Sequence, residues 1–110
     1  MEEKLCDFTS LEAVCGGDKD FMNQMIELFK TNIPKELDEI RWSIQKKDFD
    51  GIKRLAHKMK PSVGYMCKGS MSEAVKVIES WEQSDEVMID KTNGFIHEMN
   101  KVIEEIKMVA

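Results

Sequence analysis

The chain is poor in the residues that interrupt helices: its 110 residues include only two prolines, Pro34 and Pro61, and six glycines. With 42% hydrophobic and 34% charged residues, and Met, Leu, Ile, Glu and Lys prominent, that scarcity favours an all-α fold over sheet. The three cysteines, Cys6, Cys15 and Cys67, contain no Cys-x-x-Cys pair, so they signal neither a disulfide framework nor a zinc site and fit a reducing cytoplasm. No apolar run approaches the roughly 20 residues that cross a bilayer. The opening Met1-Glu2-Glu3-Lys4 does not have the plan of a secretion signal. A soluble cytoplasmic domain is expected, although a piece of a membrane-anchored chain would read the same. There is no glycine-rich phosphate loop of the P-loop or kinase type, which argues against ATP binding and autophosphorylation. Glu-x-x-His pairs of the di-iron bundles are missing too, so no metal or other cofactor is expected. A net charge of -5 argues against a field that would draw nucleic acid or anionic lipid to the whole surface.

What is present is a succession of amphipathic segments, enough for one domain over residues 1–110. Thr9 or Ser10 is placed to cap a short helix carrying Leu11, Val14 and Cys15, which Gly16-Gly17 ends. Asp18 caps a longer one, with Phe21, Met25, Leu28 and Phe29 on its apolar face and Met22 and Ile26 widening it. Pro34 marks the next start, before Leu37, Ile40 and Ile44. From Asp48 or Phe49 to Val63 a further helix buries Phe49, Ile52, Leu55, Ala56, Met59 and Val63. Ser70-Met71-Ser72-Glu73 has capping-box form and opens a helix with Met71, Ala74, Val75, Ile78 and Trp81. After the polar Gln83-Ser84-Asp85-Glu86, a last stripe runs through Phe95, Met99, Val102, Ile103, Ile106 and Val109, with Gly94 obscuring where it begins. Short connections between such stripes predict an antiparallel up-and-down four-helix bundle with an additional short N-terminal helix.

His57 has an unusual address. At about 100° per residue it points roughly 140° away from the apolar stripe of its helix, which places it in solvent. Lys53 and Lys60 lie on the same outer face, Arg54 and Lys58 flank it, and Gly64 follows two turns on. Between Lys46 and Lys60 there are six Lys or Arg (46, 47, 53, 54, 58, 60) against two Asp (48, 50), in a chain of net negative charge. An imidazole, with a reference pKa of about 6.5, is in large part neutral near pH 7, and its free nitrogen is a nucleophile. Should that nitrogen take a phosphoryl group, Lys60 is placed to neutralise the dianion, and Gly64 leaves room for a partner's backbone. The chemistry suggested is transient phosphorylation of histidine. An ordinary surface histidine on a lysine-rich face is the plainer reading of His-x-x-Lys alone.

The longer string Ala56-His57-Lys58-Met59-Lys60, with Ser62 and Gly64 after it, resembles the signature of histidine-containing phosphotransfer (HPt) domains of multistep phosphorelays. The Asp48-Phe49 start of the helix and a polar residue, Glu79, twenty-two positions after the histidine fit as well. The resemblance implies that His57 accepts and donates phosphoryl, that Lys60 stabilises it, and that Lys53, Gly64 and Glu79 support it. Arg54, Lys58, Pro61, Cys67 and Lys68 would belong to a docking surface. It implies receiver domains of response regulators or a hybrid histidine kinase as partners, with Mg2+ brought by the receiver, and a monomeric carrier without autokinase activity. The alternative function is a helical interaction module that binds receivers without accepting phosphate. Pro61 and Cys67 stand where that family usually has glycine. Proline inside a helix removes a donor and collides with the carbonyl four residues back, that of His57, so a bend or an early end of regular hydrogen bonding is expected there.

Other residues have plainer expectations. His97, beside Glu98 and Lys101 and opposite its stripe, reads as a solvated histidine. The nine methionines read as adaptable core filling. Trp42 falls off its helix's stripe, and packing by the N-terminal segment around Leu5 or Phe8 is favoured over a partner contact.

Overall fold

In a computed structural model of the chain, which describes residues 4–82 and 85–108, five helices follow one another: α1 (Thr9–Cys15), α2 (Lys19–Gln45), α3 (Phe49–Met66), α4 (Gly69–Glu79) and α5 (Glu86–Lys107). The stripes anticipated from the sequence decide the packing. Leu37 and Ile40 of α2, Ile52, Met59 and Val63 of α3, Val75 and Ile78 of α4, and Met99, Val102 and Ile106 of α5 are all buried in one core. Helix α3 packs on α2 and α4, and α5 packs on the same two helices from the other side, so the four long elements close a ring, while α1 lies against α2 and α3. This is the all-α bundle with a short N-terminal helix. At about 1.5 Å per residue α2 is some 40 Å long, and it sets the longest dimension of the 43 × 30 × 20 Å molecule.

Several local expectations are corrected by tertiary packing. Helix α2 does not restart at Pro34 but runs through it. Phe29, Ile33, Leu37 and Ile40 form one buried face across the proline, and burying side chains of this size is worth about 1.5–3 kcal/mol each, against a proline penalty of about 3. Ile33, unremarked in the sequence, lies in that face, whereas Phe21 and Leu28, expected in it, are exposed. Helix α1 is not capped by Thr9 or Ser10: Phe8 is its cap residue, and the Asp7 carboxylate accepts from the Thr9 N–H at 3.0 Å. Its Val14 is exposed, and Leu11 alone is buried. Gly16 ends it in the left-handed region, φ 58°, as anticipated. Asp18 caps α2 through the Phe21 N–H.

The capping box at Ser70 is not used. Helix α4 already starts at Gly69, with Lys68 as cap residue and no side-chain cap bond. An antiparallel bridge between Cys6 and Cys67, in which the Lys68 N–H donates to Leu5 O at 2.9 Å and the Asp7 N–H to Met66 O at 3.0 Å, fixes the chain just before it. Trp81 lies beyond the end of α4 but still packs against the core. Helix α5 begins at Glu86, capped by Asp85 through the Met88 N–H, and passes through Gly94 because Met88, Ile89 and Thr92 are buried ahead of it. Gln83, Ser84 and Val109 lie outside the described residues.

Candidate functional site

Helix α3 buries one apolar stripe and turns its polar side chains outward. Asp48 caps it, accepting from the Gly51 N–H at 2.9 Å, and Ile52, Leu55, Ala56, Met59, Val63 and Met66 recur at three- and four-residue spacing on the buried side. His57 is therefore turned outward, its side chain 70% exposed. Helix α4, the next in chain order and packed along α3, brings Glu79 to it. Glu79 Oε1 takes the hydrogen bond of His57 Nδ1, and Oε2 pairs with Lys60 Nζ at 2.9 Å. One carboxylate, 23% exposed, thus holds the imidazole and the lysine together. Lys60, then His57, keep the Glu79 carboxyl below its ordinary pKa, so it is ionised at neutral pH.

The protonation pattern follows from the donor set. A carboxylate only accepts, so Nδ1 carries the proton of this bond, and in the neutral ring the lone pair then lies on Nε2. No partner for Nε2 is found among the described residues. The site is an outward imidazole with its second nitrogen free, a fixed tautomer and a cation beside it.

The remaining anticipated residues divide. Arg54, Lys58 and Pro61 are exposed on α3, and Lys53 is half-buried. Lys58 reaches toward α2, where burial raises the Glu36 pKa and the lysine opposes that rise. Gly64 is exposed, and a Cβ there would meet only Ser72 Oγ at 4.0 Å, so packing within the chain does not require glycine. Cys67 does not line a docking surface: it is 5% exposed, buried at the α3–α4 junction by its bridge to Cys6. Lys68 lines a groove with Lys4, His97 and Lys101 rather than joining Lys60 and Glu79. Regular structure does not stop at Pro61, since α3 continues to Met66, where Val63 and Met66 are buried. Trp42 is not covered by Leu5 or Phe8. It is 59% exposed, with Lys46 Nζ 4.8 Å from its ring centroid, and it shares a shallow α2–α3 groove with Arg54.

One structural residue was missed. Glu105 of α5 accepts the Leu5 N–H at 2.9 and 3.1 Å and the Cys6 N–H at 3.3 Å, docking the N-terminal segment. Its only sequence signal is an acidic residue beside the last apolar stripe, which is indistinguishable from a solvated charge. Among the described residues there is no cluster of metal-ligating side chains and no helix long and apolar enough to cross a membrane.

Comparison with known proteins gives one result. A family model described as the Hpt domain matches residues 24–108, from the second turn of α2 to the end of α5. No curated protein and no solved structure gave a match. A match over so much of the chain, across all four helices of the ring, makes this protein a member of the Hpt family, the phosphotransfer modules of phosphorelays, which carry phosphoryl groups rather than catalyse turnover.

Proposed function

We propose that His57 is the phosphoryl acceptor and donor, and that it works through Nε2. The observation that carries this is the bond from Nδ1 to Glu79, which leaves Nε2 as the nucleophilic nitrogen of an exposed ring. A receiver domain carrying phospho-aspartate and its Mg2+ docks over the outer face of α3. Nε2 attacks phosphorus in line, an N–P bond forms, the acyl phosphate O–P bond breaks, and the receiver's aspartate leaves as carboxylate. The ring becomes cationic as it attacks, and the Glu79 carboxylate on Nδ1 stabilises that charge. Lys60, one turn along the helix, faces the incoming dianion. The reverse sequence delivers the group to a second receiver. Such transfer depends on positioning and charge more than on covalent machinery, so a carrier with one accessible nitrogen suffices.

The partners proposed are receiver domains of response regulators or of a hybrid histidine kinase, met by a monomer. Exposed Arg54, Lys58 and Trp42 on the α2–α3 side offer the cationic and aromatic contacts such a surface uses. The test mixes a phosphorylated receiver with this protein and looks for acid-labile, base-stable phosphate. Label on the wild type and none on His57→Gln is expected. Label retained by His57→Gln, or no transfer from any receiver of the same genome, sinks the assignment. In a Trp81→Phe background, Trp42 fluorescence reports whether docking reaches the α2–α3 groove.

A further inference from the structure

Residues 5–7 and 66–68 form a two-segment antiparallel bridge. Its hydrogen bonds run from the Asp7 N–H to Met66 O, 3.0 Å, and from the Lys68 N–H to Leu5 O, 2.9 Å. Both bonds flank the Cys6–Cys67 pair, and neither is made by the cysteines to each other. That is the non-hydrogen-bonded position of an antiparallel ladder, where opposed Cα atoms lie about 4.5 Å apart with their side chains on the same face. A disulfide spans Cα separations of about 4.4–6.8 Å. Both thiols are free, Cys67 buried and Cys6 half-buried. The Cys6 S–H, a weak donor, points at Val102 O at 3.7 Å.

We infer that Cys6 and Cys67 are an oxidative modification site, a dithiol that closes to a disulfide with a low-molecular-weight disulfide of the glutathione type as oxidant. Cys6, the more accessible thiol, reacts first: as thiolate it opens the oxidant's S–S bond, forming a mixed disulfide and releasing one small thiol. Cys67 thiolate then attacks Cys6 Sγ and displaces the second small thiol. The protein loses two protons and two electrons, and the oxidant takes them up to become two thiols. Burial foremost, then Glu105 for Cys6 and the facing Cys6 followed by Glu105 for Cys67, pushes both thiols up to about 12, so thiolate is scarce and closure in the folded chain is slow. The bridge would pin the N-terminal segment, docked by Glu105, to the junction between the helices bearing His57 and Glu79.

The full chain, folded, is incubated with oxidised glutathione and read by intact mass, non-reducing peptide mapping and thermal melting. Expected are loss of two hydrogens, a Cys6–Cys67 linked peptide, return to the dithiol with dithiothreitol, and the same result in Cys15→Ser. Closing a loop of about 60 residues raises the melting temperature of the linked form by about 15–20 °C. Cys6→Ser, a change at a half-buried position, abolishes the link. A stable glutathione adduct on Cys6 with Cys67 still free, a link to Cys15, no reaction in the folded chain, or a linked form that melts no higher than the dithiol would each overturn the assignment.

Discussion

Replacing Pro61 with alanine should stabilise the protein substantially, and the size of the gain measures what the signature helix carries. Pro61 lies inside α3, four residues after His57, and is exposed, so its ring contributes no core packing to lose. It has no N–H for the His57 carbonyl, and its ring presses on that carbonyl, at an intrinsic cost of about 3 kcal/mol relative to alanine. The helix does not end to avoid this, because Val63 and Met66 beyond it are buried and together are worth about 3–6 kcal/mol. The strain is therefore held in place. Pro61→Ala recovers about 2–3 kcal/mol, and Pro61→Gly about 1 kcal/mol less, because glycine is the poorer helix former. In urea the midpoint should rise with unchanged slope, and the melting temperature by about 10 °C. The backbone amide that Pro61→Ala introduces should be protected from hydrogen exchange by its new bond to His57 O. Unchanged or lower stability of the variant, or free exchange of that amide, would refute the reasoning.

Lys47, between α2 and α3, has φ 56°, a left-handed conformation that favours glycine, and Lys47→Gly should gain about 1 kcal/mol in urea unfolding. Met59 is fully buried two residues from His57, and Met59→Ala should cost about 2–5 kcal/mol by the same assay while leaving phosphate acceptance intact at temperatures well below the melt. The Glu79 carboxyl has a folded pKa below its ordinary 4.5, owing to Lys60 first and His57 second. Its contribution is complete above the unfolded value and is lost as pH falls through the lower folded one. Acid titration of melting temperature should therefore fall less steeply below pH 4.5 in Glu79→Gln than in the wild type.

The exposure of His57 was legible because it needs only one helix: the spacing of Ile52, Leu55, Ala56, Met59 and Val63 fixes which side is buried. The contact with Glu79 spans twenty-two residues and two helices, so periodicity could place both groups outward but could not bring them together. Where the reading failed, a local signal met a larger tertiary term. Pro34 and Gly94 both interrupt a pattern, and both were overridden by buried side chains on either side. Ser70 and Glu73 have the letters of a capping box, but the Cys67 bridge had already set the chain into helix at Gly69. Phe21, Leu28 and Trp42 read as apolar residues seeking cover, and the bundle leaves them in water because Ile26, Phe29 and Ile33 define the inward face.

The N-terminal segment was not legible at all, and that has a physical reason of its own. The family match begins at residue 24, within the closed ring of helices, where every element has a period to betray it. Leu5 to Phe8 have none. They are held by two backbone bonds to residues 66–68 and by the Glu105 carboxylate, interactions that any sequence of a few residues can make. Backbone pairing specifies register without specifying side chains, and so leaves the facing side chains open to chemistry of their own. In this chain both facing side chains are thiols. The least legible part of the fold is thus where a property can be added to a phosphoryl carrier without disturbing the helix that carries His57.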